Sequence, residues 1–445
     1  MKLTIKNLGV VPSAEINLDK NLLIFTGENN SGKTYVSTII HCLYDFKQIE
    51  WDSFNKKGEV FSLADFTFTP ESDKESFYTA FDIIDKQKQF FEFISKKMLE
   101  NIGQIFATSP SFFVETTIEL QSTKEENQNI FSNKVEFSFD NIDISKKTNS
   151  KSLTLTTADS EITTDQLNNL FFDLFIGEKN VAGFTDIRGA INIFSKELSL
   201  TRSRVLSSLF GNNSRTKDIV EIISDRVNRY SMPIRESLKD VERYDIYEKK
   251  EKKFAFLADV LESYFFKGKI SLSDNGSLLF TPNNSNRGLE IHTTSSTIKS
   301  LSPLAFYLRH MAQKGDFIII DEPELNLHPD NQRKIARFFG LLINEGFKLL
   351  ISTHSDYIVR ELNNLIMLSY GLSEKREETE RLLKDYGYHE KELLNSNEVG
   401  VYLFRANLPV ENVVVDETGF SIETIDEEIQ KLNKSSQDIY LTLFD

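Results

Sequence analysis

The stretch NLLIFTGENNSGKTYVSTII, residues 21–40, constrains this chain more than any other. The apolar run Leu22 to Phe25 leads into Gly27, then Glu28, Asn29, Asn30 and Ser31, then Gly32, Lys33 and Thr34. Glycine, four residues, glycine, lysine and a hydroxyl residue form the pattern of a phosphate-binding loop. Each part has a physical cause. A buried strand delivers the chain to a tight turn, where the glycines let backbone N–H groups converge on phosphate oxygens. Lys33 brings a point charge to the β- and γ-phosphates, and the Thr34 hydroxyl suits Mg²⁺. Tyr35 to Leu43 is expected to be a helix whose positive N-terminus faces the anion.

Two later segments look like further strand ends. In FIIIDEPELNLHPDNQ, residues 317–332, the continuous apolar run FIII has the character of a buried parallel strand. Asp321 and Glu322 end it, one suited to hold a metal shell and the other to orient or deprotonate water. In KLLISTHS a second buried strand, 348–351, ends at Ser352, Thr353 and His354. The imidazole of His354 is a candidate for hydrogen bonding to a γ-phosphate or its attacking water. Residues 331–345 between them have helical spacing. Strand, helix and strand around a phosphate loop predict a doubly wound α/β core.

The rest of the chain reads as follows. Residues 2–7 and 14–18 alternate apolar and polar and predict a hairpin feeding strand 22–25. Residues 84–106 have helical spacing. Residues 111–120, 134–144 and 152–157 alternate and predict an antiparallel meander, with the polar STKEENQN as a loop. From 164 to 266 the pattern is mainly helical. Residues 268–280 predict a hairpin around Asn275-Gly276. VYLF and ENVVV are late strand signals, and 423–433 reads as a helix.

Composition narrows the function. The 445 residues carry a formal charge of −15, which argues against non-specific coating of nucleic acid and favours protein partners. No run of about 18 apolar residues is present, so no membrane-spanning helix is expected. The single cysteine, Cys42, fits a reducing, cytoplasmic setting. The 36 Phe imply a large core.

GENNSGKT, IIIDEPELNLHPDNQ and ISTHS together resemble the Walker A loop, the Walker B strand with its D-loop, and the switch histidine of ABC-type ATPase heads. More narrowly, EPELNLHP is similar to AAA-type ATPases related to overcoming-lysogenisation-defect (OLD-like) proteins, and also to chromosome-maintenance and recombination-repair heads. The resemblance covers about residues 1–45 and 265–445. It implies a P-loop NTPase of the ABC-head type, a mixed sheet flanked by helices. The core would be 1–49 and 266–445, with an inserted lobe at 50–265: a β-meander over about 50–157, then a mainly helical part over about 158–265.

The resemblance further implies ATP and Mg²⁺ as ligands. Gly27, Glu28, Asn29, Asn30, Ser31, Gly32, Lys33, Thr34 and Tyr35 would cradle the nucleotide, Thr34 and Asp321 the metal, and Glu322 and His354 would serve catalysis. Such heads sandwich ATP between two subunits, so a homodimer or higher oligomer is implied. A signature serine in TTSSTIKSL would be Ser295 or Ser296, although Thr297 stands where that signature usually has glycine. GFTDIRGAINIFSKELSL, 183–200, resembles a segment with an active-site arginine, which makes Arg188 a candidate for charge stabilisation. The Toprim nuclease motif of OLD-like proteins is missing after His354. The expected function is therefore an ATPase acting on a separate effector, plausibly a nuclease, as in two-gene anti-phage systems. The alternatives are a DNA-repair or chromosome-associated head acting directly on DNA and, more remotely, a transporter-coupled subunit.

Overall fold

The computed structural model describes residues 1–46, 66, 69–70, 77–139, 142–157, 163–177, 180–185, 188, 191, 230–249, 253–273 and 276–444. Its centre is a six-stranded sheet in the order Val181–Phe184, Phe317–Asp321, Lys348–Ser352, Leu22–Gly27, Val399–Phe404, Glu411–Val413. The first five strands are parallel and the last is antiparallel. Successive side chains point to opposite faces, and both faces are covered. Leu22, Ile24, Ile318, Ile320, Leu349 and Ile351 belong to one apolar cluster, which includes Leu301, Phe338 and Leu362 from three helices. Leu23, Phe25, Phe317, Ile319 and Leu350 belong to the other, with Val36 and Ile39 of the helix after the phosphate loop. This is why the middles of these strands are continuously apolar instead of alternating.

Parallel strands end on the same side of their sheet. The carboxyl ends at Gly27, Asp321, Ser352 and Phe404 therefore gather in one place, where ligands of open α/β sheets bind. The segment positions of the sequence analysis hold for this core. The helix after the loop runs Lys33–Tyr44, and the one between the two later strands runs Pro329–Asn344.

The N-terminal hairpin also forms, with Lys2 opposite Asn17 and Leu8 opposite Val11. Its other edge, however, takes the strand Thr117–Gln121. The expected meander is thus divided. Its first strand extends the hairpin, and the others form a separate sheet in which Phe77–Asp82, Ser152–Thr157, Ile142–Lys146 and Val135–Phe139 lie side by side. STKEENQN is not a loop: Lys124–Ser132 is a helix, started by a capping box in which Thr123 and Glu126 satisfy each other's backbone N–H groups. The strand Val181–Phe184, from a stretch read as mainly helical, forms an edge of the central sheet.

Residues of 50–265 thus share a core with the N-terminal hairpin and the phosphate-loop strand. Ile144, Leu153, Phe90 and Leu167 lie in one cluster with Leu3 and Phe25. Phenylalanine is concentrated there, where Phe171 lies 5.5 Å from Phe81 and 5.6 Å from Phe175 between ring centroids. No helix among the described residues is long and apolar enough to cross a membrane.

One buried histidine makes a pH prediction. His41, in the helix after the phosphate loop, is 2% exposed, and neither ring nitrogen has a hydrogen-bond partner. Burial lowers its pKa to about 4 from an ordinary 6.5. The unfolded chain binds this proton more readily, so stability attributable to His41 is lost as pH falls below about 6.5. Between pH 7 and 4.5 the loss is about 2–3 kcal/mol. Denaturant unfolding at both pH values should show this slope in the wild type and a shallower one in His41→Leu.

Candidate functional site

The phosphate loop owes its shape to two glycines. Gly27 has φ +115°, and a Cβ there would stand 2.0 Å from the carbonyl oxygen of Phe404. That oxygen accepts a 3.0 Å hydrogen bond from the Glu28 N–H, which clamps the loop to the adjacent strand. Gly32 has φ +97°, and a Cβ there would stand 2.2 Å from Val11 of the N-terminal hairpin. Asn30 also adopts a left-handed backbone, with φ 57°. Ser31 donates to the Glu28 carbonyl at 2.7 Å, and the Ala406 N–H donates to the Glu28 carboxylate at 3.1 Å. No side chain caps the helix that starts at Lys33. Its first-turn N–H groups are thus available to an anion, as a phosphate cradle needs.

Lys33 lies inside this loop. Its ammonium donates to the carbonyls of Glu28 at 2.7 Å and Gly27 at 3.3 Å. Burial pushes its pKa below the ordinary lysine value, opposed by the charges of Glu322, Asp321, Glu324 and Glu28. The loop lysine and the acids of the Phe317–Asp321 strand end thus share one electrostatic site. Thr34 is exposed, at the mouth of the loop. Tyr35 instead packs into the fold, with its ring 5.1 Å from Phe106 and against Gly9, which makes it a support for the loop.

The acid turn is strained and held from two sides. Glu322 has φ +47°, a conformation that non-glycine residues adopt only when the surroundings enforce it. Ser352, on the adjacent strand, donates its hydroxyl to Asp321, and both its oxygens accept from the Glu322 N–H, at 3.0 and 3.2 Å. Arg188 holds the other side. Its guanidinium donates to the backbone carbonyls of Asp321 at 2.7 Å, Glu322 at 3.1 Å, Thr185 at 3.2 Å and Ser300 at 3.1 Å.

This placement adds a positioning role to the charge-stabilising one expected of Arg188. Four of its hydrogen bonds go to backbone carbonyls around the acid turn, which suits it to hold that turn in place. Arg188→Ala would orphan buried carbonyls at about 1–3 kcal/mol each. We expect unfolding free energy to fall by about 2–4 kcal/mol in a denaturant titration, with turnover falling alongside. An arginine that stabilised phosphate charge would instead remove turnover at unchanged stability.

His354 is half-buried at the third strand end. Burial, and then the Lys33 charge, lower its pKa, so the imidazole is neutral at pH 7. Glu324 was not singled out by sequence reasoning. Its Oε1 accepts from the Thr353 hydroxyl at 2.9 Å and from the His354 N–H at 2.7 Å, joining the acid turn to the histidine turn. Burial raises its pKa. The only sequence signal was a third acid shortly after the strand, which by itself also fits a solvated loop residue.

The expected signature stretch stands apart. Ser295 caps the helix Ser296–His310 by accepting from the Ile298 N–H at 3.4 Å, and Ser296 is exposed in its first turn. Thr297 donates to the Asn326 carbonyl at 3.2 Å, which ties this helix start to the turn after the acids. No hydrogen bond joins Ser295 or Ser296 to the phosphate loop among the described residues.

The site as built suits a magnesium nucleotide. The uncapped helix start, the glycine cradle and Lys33 supply donors for phosphates, while Thr34 and Asp321 supply hard oxygen ligands. The energy-coupling factor transporter ATP-binding protein EcfA2 of Mycoplasma mobile is 33% identical over 79 residues, which is 18% of this chain and 26% of that relative. The match therefore spans about a quarter of that relative's length. Similar solved structures include an SMC head bound to the C-winged helix domain of ScpA, with TM-score 0.35, 11% identity and coverage of 93% of this chain and 98% of that one. Another is the SMC head of Thermotoga maritima, with TM-score 0.33, 10% identity and coverage of 93% and 98%. The family described as AAA ATPase domain matches residues 1–359, well over half of the chain and inclusive of all three strand ends. The chain belongs to this AAA ATPase domain family and has the P-loop ATPase fold.

Proposed function

We propose that this chain binds ATP with Mg²⁺, hydrolyses it, and uses the cycle to act on a separate effector protein. The observation that carries the reading is the convergence of Lys33, Asp321, Glu322 and His354 at neighbouring carboxyl ends of one parallel sheet, with Lys33 sensing both acids. The loop N–H groups and Lys33 hold the phosphates and offset their charge. Thr34 and Asp321 would hold Mg²⁺, which when bound supplies positive charge to the phosphate oxygens. Glu322 orients the attacking water and takes its proton as the water oxygen bonds to the γ-phosphorus. The β–γ bridging oxygen leaves with ADP. Neutral His354 can hydrogen-bond to the γ-phosphate without adding a charge.

Phosphate release from ATP tests this: the reading requires turnover that Mg²⁺ supports and a chelator abolishes, and metal-independent turnover would contradict it. The exposed Ser296 supports a dimer or higher oligomer in which the serine meets a neighbour's nucleotide. The helix Glu423–Phe444 supports an effector contact, because it buries none of its residues and leaves Leu432, Ile439, Tyr440, Leu443 and Phe444 exposed. An anti-phage nuclease is the effector we favour. Co-purification from the native operon tests this: a bound nuclease supports it, and isolation with DNA alone favours the repair reading.

A further inference from the structure

We propose that Glu324 is a positioning residue of the hydrolytic site, a strut that sets His354 relative to Glu322. This deepens the ATPase reading and rests on it. The two groups belong to different strands, so no covalent path shorter than the helix Pro329–Asn344 fixes their separation. Among the described residues, backbone pairing and side-chain bonds both cross between the strand ends. Backbone pairing joins Asp321 to Ser352, Ser352 bonds to Asp321 and Glu322, and Glu324 bonds to Thr353 and His354. Of these, it is the Glu324 bonds that reach the backbone of the histidine.

The turn is built to present this carboxyl group. Pro323 follows the strained Glu322, and the Leu325 N–H returns to the Glu322 carbonyl at 3.0 Å. The Leu327 N–H bonds to the Glu324 carbonyl at 2.9 Å, so the Glu324 backbone is fixed as well. On the other turn, Thr353 donates to Glu324 while its oxygen accepts from the Ser355 N–H at 3.1 Å, and the Thr353 N–H bonds to Phe25 at 2.9 Å. The strut therefore ends on a turn whose backbone is tied to the phosphate-loop strand.

Saturating the His354 N–H would need only one oxygen. The second, Oε2, is buried and hydrogen-bonds to nothing among the described residues. An ionised carboxylate with a buried, unpaired oxygen is costly. Burial accordingly raises the Glu324 pKa, which favours the neutral acid. An uncharged amide of the same length, still accepting through one oxygen, should therefore serve as the strut nearly as well, whereas a shorter acid should not.

The test compares Glu324→Ala, Glu324→Asp and Glu324→Gln by steady-state kcat with MgATP and by nucleotide Kd. A displaced catalytic group can cost about 100-fold, so we expect kcat to fall about 10- to 100-fold in Glu324→Ala and Glu324→Asp. Kd should stay within about threefold, and Glu324→Gln should retain kcat within about threefold, because binding and one-oxygen acceptance persist. In a double-mutant cycle Glu324→Ala should add no further loss on top of His354→Ala. Wild-type kcat in Glu324→Asp, a Glu324→Gln as slow as Glu324→Asp, or multiplying losses in the cycle would each overturn the strut. If Glu324→Ala fails to fold, Glu324→Asp replaces it in the cycle. Glu322→Gln serves as the control: if it too hydrolyses ATP normally, the ATPase reading fails, and if it stalls while Glu324→Asp does not, only the strut fails.

Discussion

Lys33→Ala should lose nucleotide affinity by about 100-fold, since a charge-assisted contact to phosphate contributes about 1.5–3 kcal/mol. The lysine is not a surface charge whose removal water could compensate. It is 7% exposed, stands within the loop on the Gly27 and Glu28 carbonyls, and balances the carboxylates of Asp321 and Glu322. Removing it leaves Asp321 and Glu322 facing an incoming polyanion, so repulsion adds to the lost attraction. Titration with a fluorescent ATP analogue reads the effect. Folding should survive, because the ammonium's burial already costs the native state something.

Gly27→Ala should unfold or severely weaken the protein, by about 3 kcal/mol or more. Two penalties coincide at this position. The backbone φ of +115° disfavours any side chain, and the added Cβ would meet the Phe404 carbonyl at 2.0 Å, against main chain that cannot rotate away. Relief would require separating the strands Leu22–Gly27 and Val399–Phe404, whose pairing runs from Leu22 opposite Val399 to Gly27 opposite Phe404. Thermal melting of the purified variant, or its failure to accumulate soluble, is the readout. Gly276→Ala, where a Cβ would meet nothing within 4 Å, is the control for the backbone term alone.

The parts of the fold readable from sequence are those where local pattern and burial agree. FIII, LLIF and the LLI of residues 349–351 are continuously apolar because both sheet faces are covered, and that pattern distinguished them from half-buried strands. The Val181–Phe184 strand was missed because four residues with a glycine carry little strand signal, and its pairing partner lies far away in sequence. Thr117–Gln121 was read as a strand, yet its partner depends on which edge is open, and the hairpin edge at Lys2–Leu8 took it. The helix Lys124–Ser132 was missed through reading composition alone. Its Thr-x-x-Glu capping box, Thr123 and Glu126, was the available signal.

The same contrast holds at the site. Lys33, Asp321, Glu322 and His354 announced themselves because each sits where a strand or loop must place it. The backbone contacts of Arg188 were not legible, since sequence gives residue type but not direction, and its guanidinium donates to carbonyls of the acid turn. Glu324 was invisible because its role lies in a bond to a backbone N–H on another strand.

The central claim, that three strand ends form one hydrolytic site with Glu322 as its base, is tested most directly by a single-turnover assay of Glu322→Gln with MgATP. The account predicts that the variant binds ATP with about wild-type affinity and retains it uncleaved, with hydrolysis slowed by at least about 100-fold, because general-base catalysis contributes about 10²–10⁴. Hydrolysis at the wild-type rate would contradict it.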